Sequence, residues 1–174
     1  VISGLAAGID AMAHRGCIEG FAATYAVFGS SPDEVYPASN RQLAQRILQH
    51  NGALISEYPP QTHPSKWTFP ARNRIISGLS SLVLVVQAGK KSGALITADF
   101  ALDQGRELAV AASPCGHVFG EGCEKLAADG APLIKSAEDI LSALNISPQI
   151  APRENPPASL AGRLAEEFDL RQDT

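Results

Sequence analysis

Between Glu57 and Asp99 this sequence contains no aspartate or glutamate. Other features are scarce too. Cysteines number three, Cys17, Cys115 and Cys123, with no CxxC spacing, which removes the basis for a disulfide framework or a finger-type zinc site. No apolar stretch approaches the roughly 20 residues of a membrane helix, and the first residues lack a basic-then-apolar signal pattern. A cytoplasmic setting with reduced thiols is the expectation, with no membrane partner. GxGxxG and GxxxxGK[ST] are both missing, so neither the dinucleotide fingerprint nor the Walker A loop is present. Aromatic residues make up 6% of the chain, with one tryptophan, Trp67.

What is present is an ordinary globular composition. With 174 residues, 45% of them hydrophobic, the chain is long enough for one sizeable core and one domain. A net charge of −4 argues, as an average, against a nucleic-acid partner. The distribution argues otherwise. The acid-free window carries Lys66, Arg72, Arg74, Lys90 and Lys91, a local charge of +5 that leaves −9 for the rest of the chain. A positive field concentrated inside an acidic protein draws an anion to one place.

Short apolar runs alternate with amphipathic stretches, the pattern of a parallel sheet with crossover helices. The runs are TYAVFG (24–29), ALISE (53–57), LVLVVQ (82–87), LAVAA (108–112) and PLIKS (132–136), and VIS at the start reads as the end of another. SNRQLAQRILQHNG predicts a helix capped by Ser39 or Asn40, with Leu43, Ile47 and Leu48 on one face and Gly52 just beyond its end. SAEDILSAL predicts another, opened by a capping-box pair of Ser136 and Asp139. After Asn145 the prolines 148, 152, 156 and 157 crowd into a linker-like stretch, followed by a short helical pattern with Leu160, Leu164 and Phe168 on one face. The expected division is a domain over 1–146 and a Pro-rich linker with an amphipathic tail over 147–174.

Three stretches carry chemistry. In VISGLAAGIDAMAHRG, a strand end, Ser3-Gly4, Gly8 and a helix form the kind of place where an open α/β sheet holds a ligand. Asp10 and His14, four apart on that helix, are readable either as an acid/base pair or as a dipole-favoured aspartate paired to a histidine. In HPSKWTFPARNRIISGLS, Lys66, Arg72 and Arg74 interleave with Trp67 and Phe69; cations for phosphates and rings for bases suit a flexible single strand. The alternative is that the rings fill the core and the arginines are solvated. Arg72 and Arg74, two apart on a helix, point in different directions. In LVLVVQAGKKSGALITADFALDQG, an apolar strand reads into a glycine-bearing turn and a helix running from Ser92-Gly93 to Gly105. There Lys90, Lys91, the Ser92 hydroxyl and free helix N–H groups converge as a phosphate site. Cys115, His117 and Cys123 read as a chance cluster rather than a metal site, and no Ser-His-acid set is discernible.

Taken together, SGLAAGIDAMAHRG, VFGSSPDEVYPASNR, LISEYPP, FPARNRIISGLS, VLVVQAGKKSGALITADFALDQGRELAV and DGAPLIKSAEDIL resemble the DNA-processing protein A family (DprA, also called Smf) over residues 1 to 144. The related LOG-type phosphoribohydrolases carry PGGxGT, which is absent here. The resemblance implies an α/β, three-layer Rossmann-like fold with a mostly parallel sheet and no enzymatic activity or cofactor. It also implies single-stranded DNA binding and protection, RecA loading in natural transformation, and a homodimer. The DNA-facing residues it implies are Ser3, Gly4, Lys66, Arg72, Asn73, Arg74, Lys90, Lys91, Ser92 and Gly93, with Ile140 and Leu141 at the dimer contact. Family members usually open this domain with a strand ending in Gly-Ser-Arg, so the expected sheet here lacks that N-terminal strand. Where the family often has Gly-Thr-Asn, Gly122, Cys123 and Glu124 stand, which places an acid near the expected pocket rim. The rival reading is a nucleotide-hydrolysing, LOG-like enzyme with Asp10 or His14 as its acid/base group.

Overall fold

A computed structural model describes residues 1–113 and 115–147. The order is β1 (Ile2–Ser3), α1 (Ile9–Glu19), β2 (Tyr25–Val27), α2 (Arg41–Gln49), β3 (Ala53–Ile55), α3 (Thr68–Gly78), β4 (Leu82–Val85), α4 (Gly93–Asp103), β5 (Glu107–Ala111), α5 (Glu121–Ala128), β6 (Leu133–Ile134) and α6 (Ala137–Ala143). Every strand falls on one of the apolar runs singled out above, with β5 starting one residue earlier, at Glu107. The Leu160–Phe168 pattern and nearly all of the linker lie outside the described residues.

All strand pairs are parallel, as expected, but they form two sheets of three strands rather than one, in the orders β1-β2-β3 and β4-β5-β6. Each sheet has its own apolar cluster. Leu5, Ala11, Ile18, Phe28, Leu43 and Ile47 serve the first, and Val83, Val85, Ala98, Leu108, Val110 and Cys123 the second. The single core expected from the composition is thus divided. β1 and β4 are end strands, and the chain winds outward from them in opposite senses. Such a reversal of winding is where open α/β sheets leave a crevice beyond the carboxyl ends of their strands.

Local chemistry explains the helix boundaries. Ser92 is the N-cap of α4, its hydroxyl accepting from the Ala94 N–H, and Gly105 beyond its end takes φ 63°. Ser136 and Asp139 form the expected capping box on α6. For α2 the expectation is met in part. Leu43 and Ile47 are buried, but Leu48 is 54% exposed, so the apolar face is narrower than the periodicity implies. Asn40 holds the N-cap position without capping. Its amide instead donates to the Leu5 and Ala6 carbonyls at 2.9 and 3.3 Å, fixing the β1–α1 loop, where Leu5 is fully buried at φ 57°. For a residue other than glycine that conformation costs about 1–3 kcal/mol and needs such anchoring.

Candidate functional site

A groove of about 690 Å³ lies between β1 and β4. Ile2 and Ser3 form one wall and Leu82 through Gln87 the other, with Arg72 and Asn73 of α3 and Gly93, Ala94 and Thr97 of α4 completing it. Much of the floor is strand edge and apolar side chain. Its polar groups gather at the carboxyl ends of the strands, where three helices begin nearby.

α3 reaches that end because its first turn packs on Gly29, just past β2. A Cβ at Gly29 would stand 3.0 Å from the Phe69 ring and 3.1 Å from the Thr68 carbonyl oxygen, tighter than most side-chain contacts, so glycine eases the approach. The two arginines of α3 diverge, as their spacing requires. Arg74 is exposed and ion-paired with Glu57, while Arg72 is only 6% exposed. The Arg72 guanidinium donates through Nη1 to the Gly4 carbonyl at 3.0 Å and to the Val27 carbonyl, tying the ends of β1 and β2 to α3. Burial lowers its pKa, with Asp10 and Tyr58 acting in the opposite direction, and its Nε is buried without a partner among the described residues. Arg72 thus lines the groove as an internal strut, its guanidinium committed to the two carbonyls.

Gly4 is committed in the same way. A Cβ there would lie 2.4 Å from the Arg72 guanidinium nitrogens. Its N–H donates to Asp10 Oδ2 at 2.9 Å, and the Ala6 N–H donates to the same oxygen at 3.2 Å. The first helix start thus holds its own carboxylate where an external anion would otherwise sit. His14 does not join Asp10. It is fully buried, with Nδ1 2.7 Å from the Thr24 hydroxyl, which in turn donates to the Val1 carbonyl at 2.9 Å. Because the hydroxyl has one proton and spends it on Val1, Nδ1 is the donor and Nε2 is the deprotonated nitrogen, buried without a partner among the described residues. Burial pushes the His14 pKa down to about 4 despite the nearby Asp10, so the ring is neutral at pH 7. Neither reading open for this pair holds as a pair: Asp10 is bound by the Gly4 and Ala6 N–H groups and His14 by Thr24.

The second helix start differs. Ser92 and Gly93 open α4, and Lys90 and Lys91 are both exposed in the turn before it. Lys90 lies 3.1 Å from Glu121 at the start of α5, which brings an acid to this turn. Lys91 has no ion pair among the described residues. Asn73 donates to the Gly93 carbonyl at 3.3 Å, which couples α3 to the turn. Lys66 is exposed with its ammonium 5.0 Å from the centroid of the Trp67 ring. Ile140 and Leu141 are half-buried on α6, away from the groove lining. Cys123 is fully buried, where burial raises its thiol pKa, while Cys115 is exposed; no metal-holding group is formed among the described residues. Asp10, Tyr36 and Thr97 also line the groove and were not legible as such, because nothing local in the sequence shows which residues a crossover brings to the rim.

The architecture is that of a doubly wound, Rossmann-like protein with a groove between β1 and β4. Within that class the chain belongs to the family described as DNA recombination-mediator protein A, whose model matches residues 1–145. It is 47% identical to DNA processing protein DprA of Bacillus subtilis over 83% of this chain and 48% of that protein. Against Protein Smf of Escherichia coli it is 43% identical over 83% of this chain and 38% of that protein. The crystal structure of Streptococcus pneumoniae DNA processing protein A superposes with a TM-score of 0.72 at 38% identity, covering 81% of this chain and 50% of that one. A Helicobacter pylori DNA processing protein A, solved to address its single-stranded DNA binding mode, gives 0.72 at 31% identity, covering 83% and 65%. The chain spans about half the length or less of these two curated relatives. No helix among the described residues is long and apolar enough to cross a membrane.

Proposed function

We propose that this chain binds single-stranded DNA along the carboxyl edge of its two sheets, holding phosphates with cations and not catalysing a reaction. The observation that carries this is the exposed Lys90-Lys91 turn at the start of α4, beside Asn73 and at the point where the winding reverses. Lys66 extends the cationic rim, and Ser3, Ser92 and Gly93 supply small polar surface beside it. Arg72 acts in this reading by positioning Gly4 and α3, and Arg74 by pairing with Glu57 beneath the rim. The Helicobacter pylori relative, whose single-stranded DNA binding mode was the subject of its structure, supports the choice of ligand.

In this reading the activity protects the strand in the cytoplasm and delivers it to RecA during natural transformation, with a homodimer formed through the region of Ile140 and Leu141. A LOG-like nucleotide hydrolase is the weaker reading, since Asp10 is held by Gly4 and Ala6 and His14 is sealed in the core. Fluorescence anisotropy with single- and double-stranded oligonucleotides at two salt concentrations tests the proposal. The expected result is preference for the single strand and a steep loss of affinity with salt. Equal, salt-insensitive binding of both would contradict it, and release of free base from a nucleoside monophosphate would favour the hydrolase.

A further inference from the structure

Trp67 is the sole tryptophan of the chain, 74% exposed, and it stands at the N-cap of α3. An indole so exposed is unusual, since its large apolar surface is normally covered. The turn that presents it is not loose. Ser65 N–H donates to the Thr68 hydroxyl at 3.0 Å, that hydroxyl donates to the Ser65 carbonyl at 3.0 Å, and the Trp67 and Thr68 N–H groups donate to Ser65 Oγ at 3.3 and 3.2 Å. The neighbouring ring behaves oppositely: Phe69 turns inward, its centroid 5.3 Å from that of Tyr36, and lines the groove. One ring of this segment therefore lines the groove, while the other, two residues away, is held out to solvent.

We infer that Trp67 and Lys66 form a stacking platform for one nucleobase of a single strand leaving the groove. The inference rests on the single-strand reading above. The Lys66 ammonium lies over one face of the ring at 5.0 Å, a cation–π contact that keeps a positive charge beside the indole and leaves a base the opposite face. The surrounding window contains cations and no acid from residue 58 to residue 98, which favours a polyanion over an acidic or neutral protein surface as the occupant. Stacking is also tolerant of base identity, because every base offers a π-face. A duplex does not satisfy the platform, since its bases are already stacked on each other.

Because Trp67 is the only tryptophan, its emission reports directly on the platform. The chain is titrated with a fluorescein-labelled oligo-dT for anisotropy and with the unlabelled oligonucleotide for tryptophan emission. The expected result is quenching of Trp67 that saturates with the anisotropy. Trp67→Ala weakens binding about tenfold, from the roughly 1–3 kcal/mol of a base–aromatic stack, and Trp67→Phe keeps most of it. Circular dichroism checks that both variants fold. Normal anisotropy with unchanged emission and an unaffected Trp67→Ala overturns the platform and leaves the single-strand reading standing. Absence of binding to any chain overturns that reading and the platform with it. Loss of self-association in Trp67→Ala, seen by light scattering without a change in DNA affinity, assigns the ring to a second copy and also overturns the inference.

Discussion

The β1–α1 loop and the β4–α4 turn have the same plan: a short parallel strand, a glycine-bearing turn and a helix of 11 residues. Their electrostatics are opposite. In the first, Asp10 folds back onto the Gly4 and Ala6 N–H groups, Arg72 fills the space behind Gly4, and Asn40 ties down the Leu5 and Ala6 carbonyls. In the second, the capping group is the neutral Ser92 hydroxyl, and two lysines stand free of the core. A helix start attracts anions in general, yet a resident carboxylate neutralises one here and flanking cations reinforce the other. The difference teaches that a glycine turn before a helix specifies an anion site only when its donors are left unspent.

The largest expected effect comes from breaking the closed loop. Arg72→Ala strands two buried carbonyls and leaves a cavity, costing about 3–5 kcal/mol in urea unfolding, and Arg72→Lys restores little because a point charge does not reproduce the fork. An exposed arginine, by contrast, would cost within about 0.5 kcal/mol.

Acid tests the same side of the molecule. The native state holds His14 neutral, with a pKa of about 4 against 6.5 for the free side chain. As pH falls below 6.5 the unfolded chain takes up a proton that the native one refuses. His14 therefore adds no penalty above about pH 6.5, and stability is lost progressively towards pH 4, by about 3 kcal/mol. Urea midpoints measured across that range should fall in the parent chain and fall less in His14→Gln.

A smaller change separates space from charge in the closed loop. Gly4→Ala places a methyl against the Arg72 guanidinium and should destabilise by about 1–3 kcal/mol, read from the shift in thermal midpoint. The smallest effect belongs to the open turn. Glu121→Gln frees Lys90 from an exposed partner, so stability should move by less than about 1 kcal/mol while single-strand affinity at low salt rises a few-fold.

Much of this was legible in the sequence because it is local. The apolar runs became the strands, and Ser92 and Ser136 cap their helices through atoms two or three residues away. The resemblance located the family, and the acid-free window located the open turn. Long-range pairings were not legible. Arg72 reaches Gly4 across 68 positions and Asn40 reaches Leu5 across 35, so the inward hydrogen bonds of a cation and of a residue at a helix start could not be read locally. Asp10 hid its role for another reason: a carboxylate in the first turn of a helix has the same signature whether it faces water or plugs its own loop.

In the proposed reading Lys91 and its turn hold phosphate while the β1–α1 loop does not. The most direct test is the dependence of single-strand affinity on salt, measured for the parent chain and for Lys91→Ala. A linear fall of log K with log salt is expected in the parent, with a slope about 0.7 shallower in Lys91→Ala and affinity reduced about tenfold at low salt. Identical slopes and affinities in the two chains would contradict it.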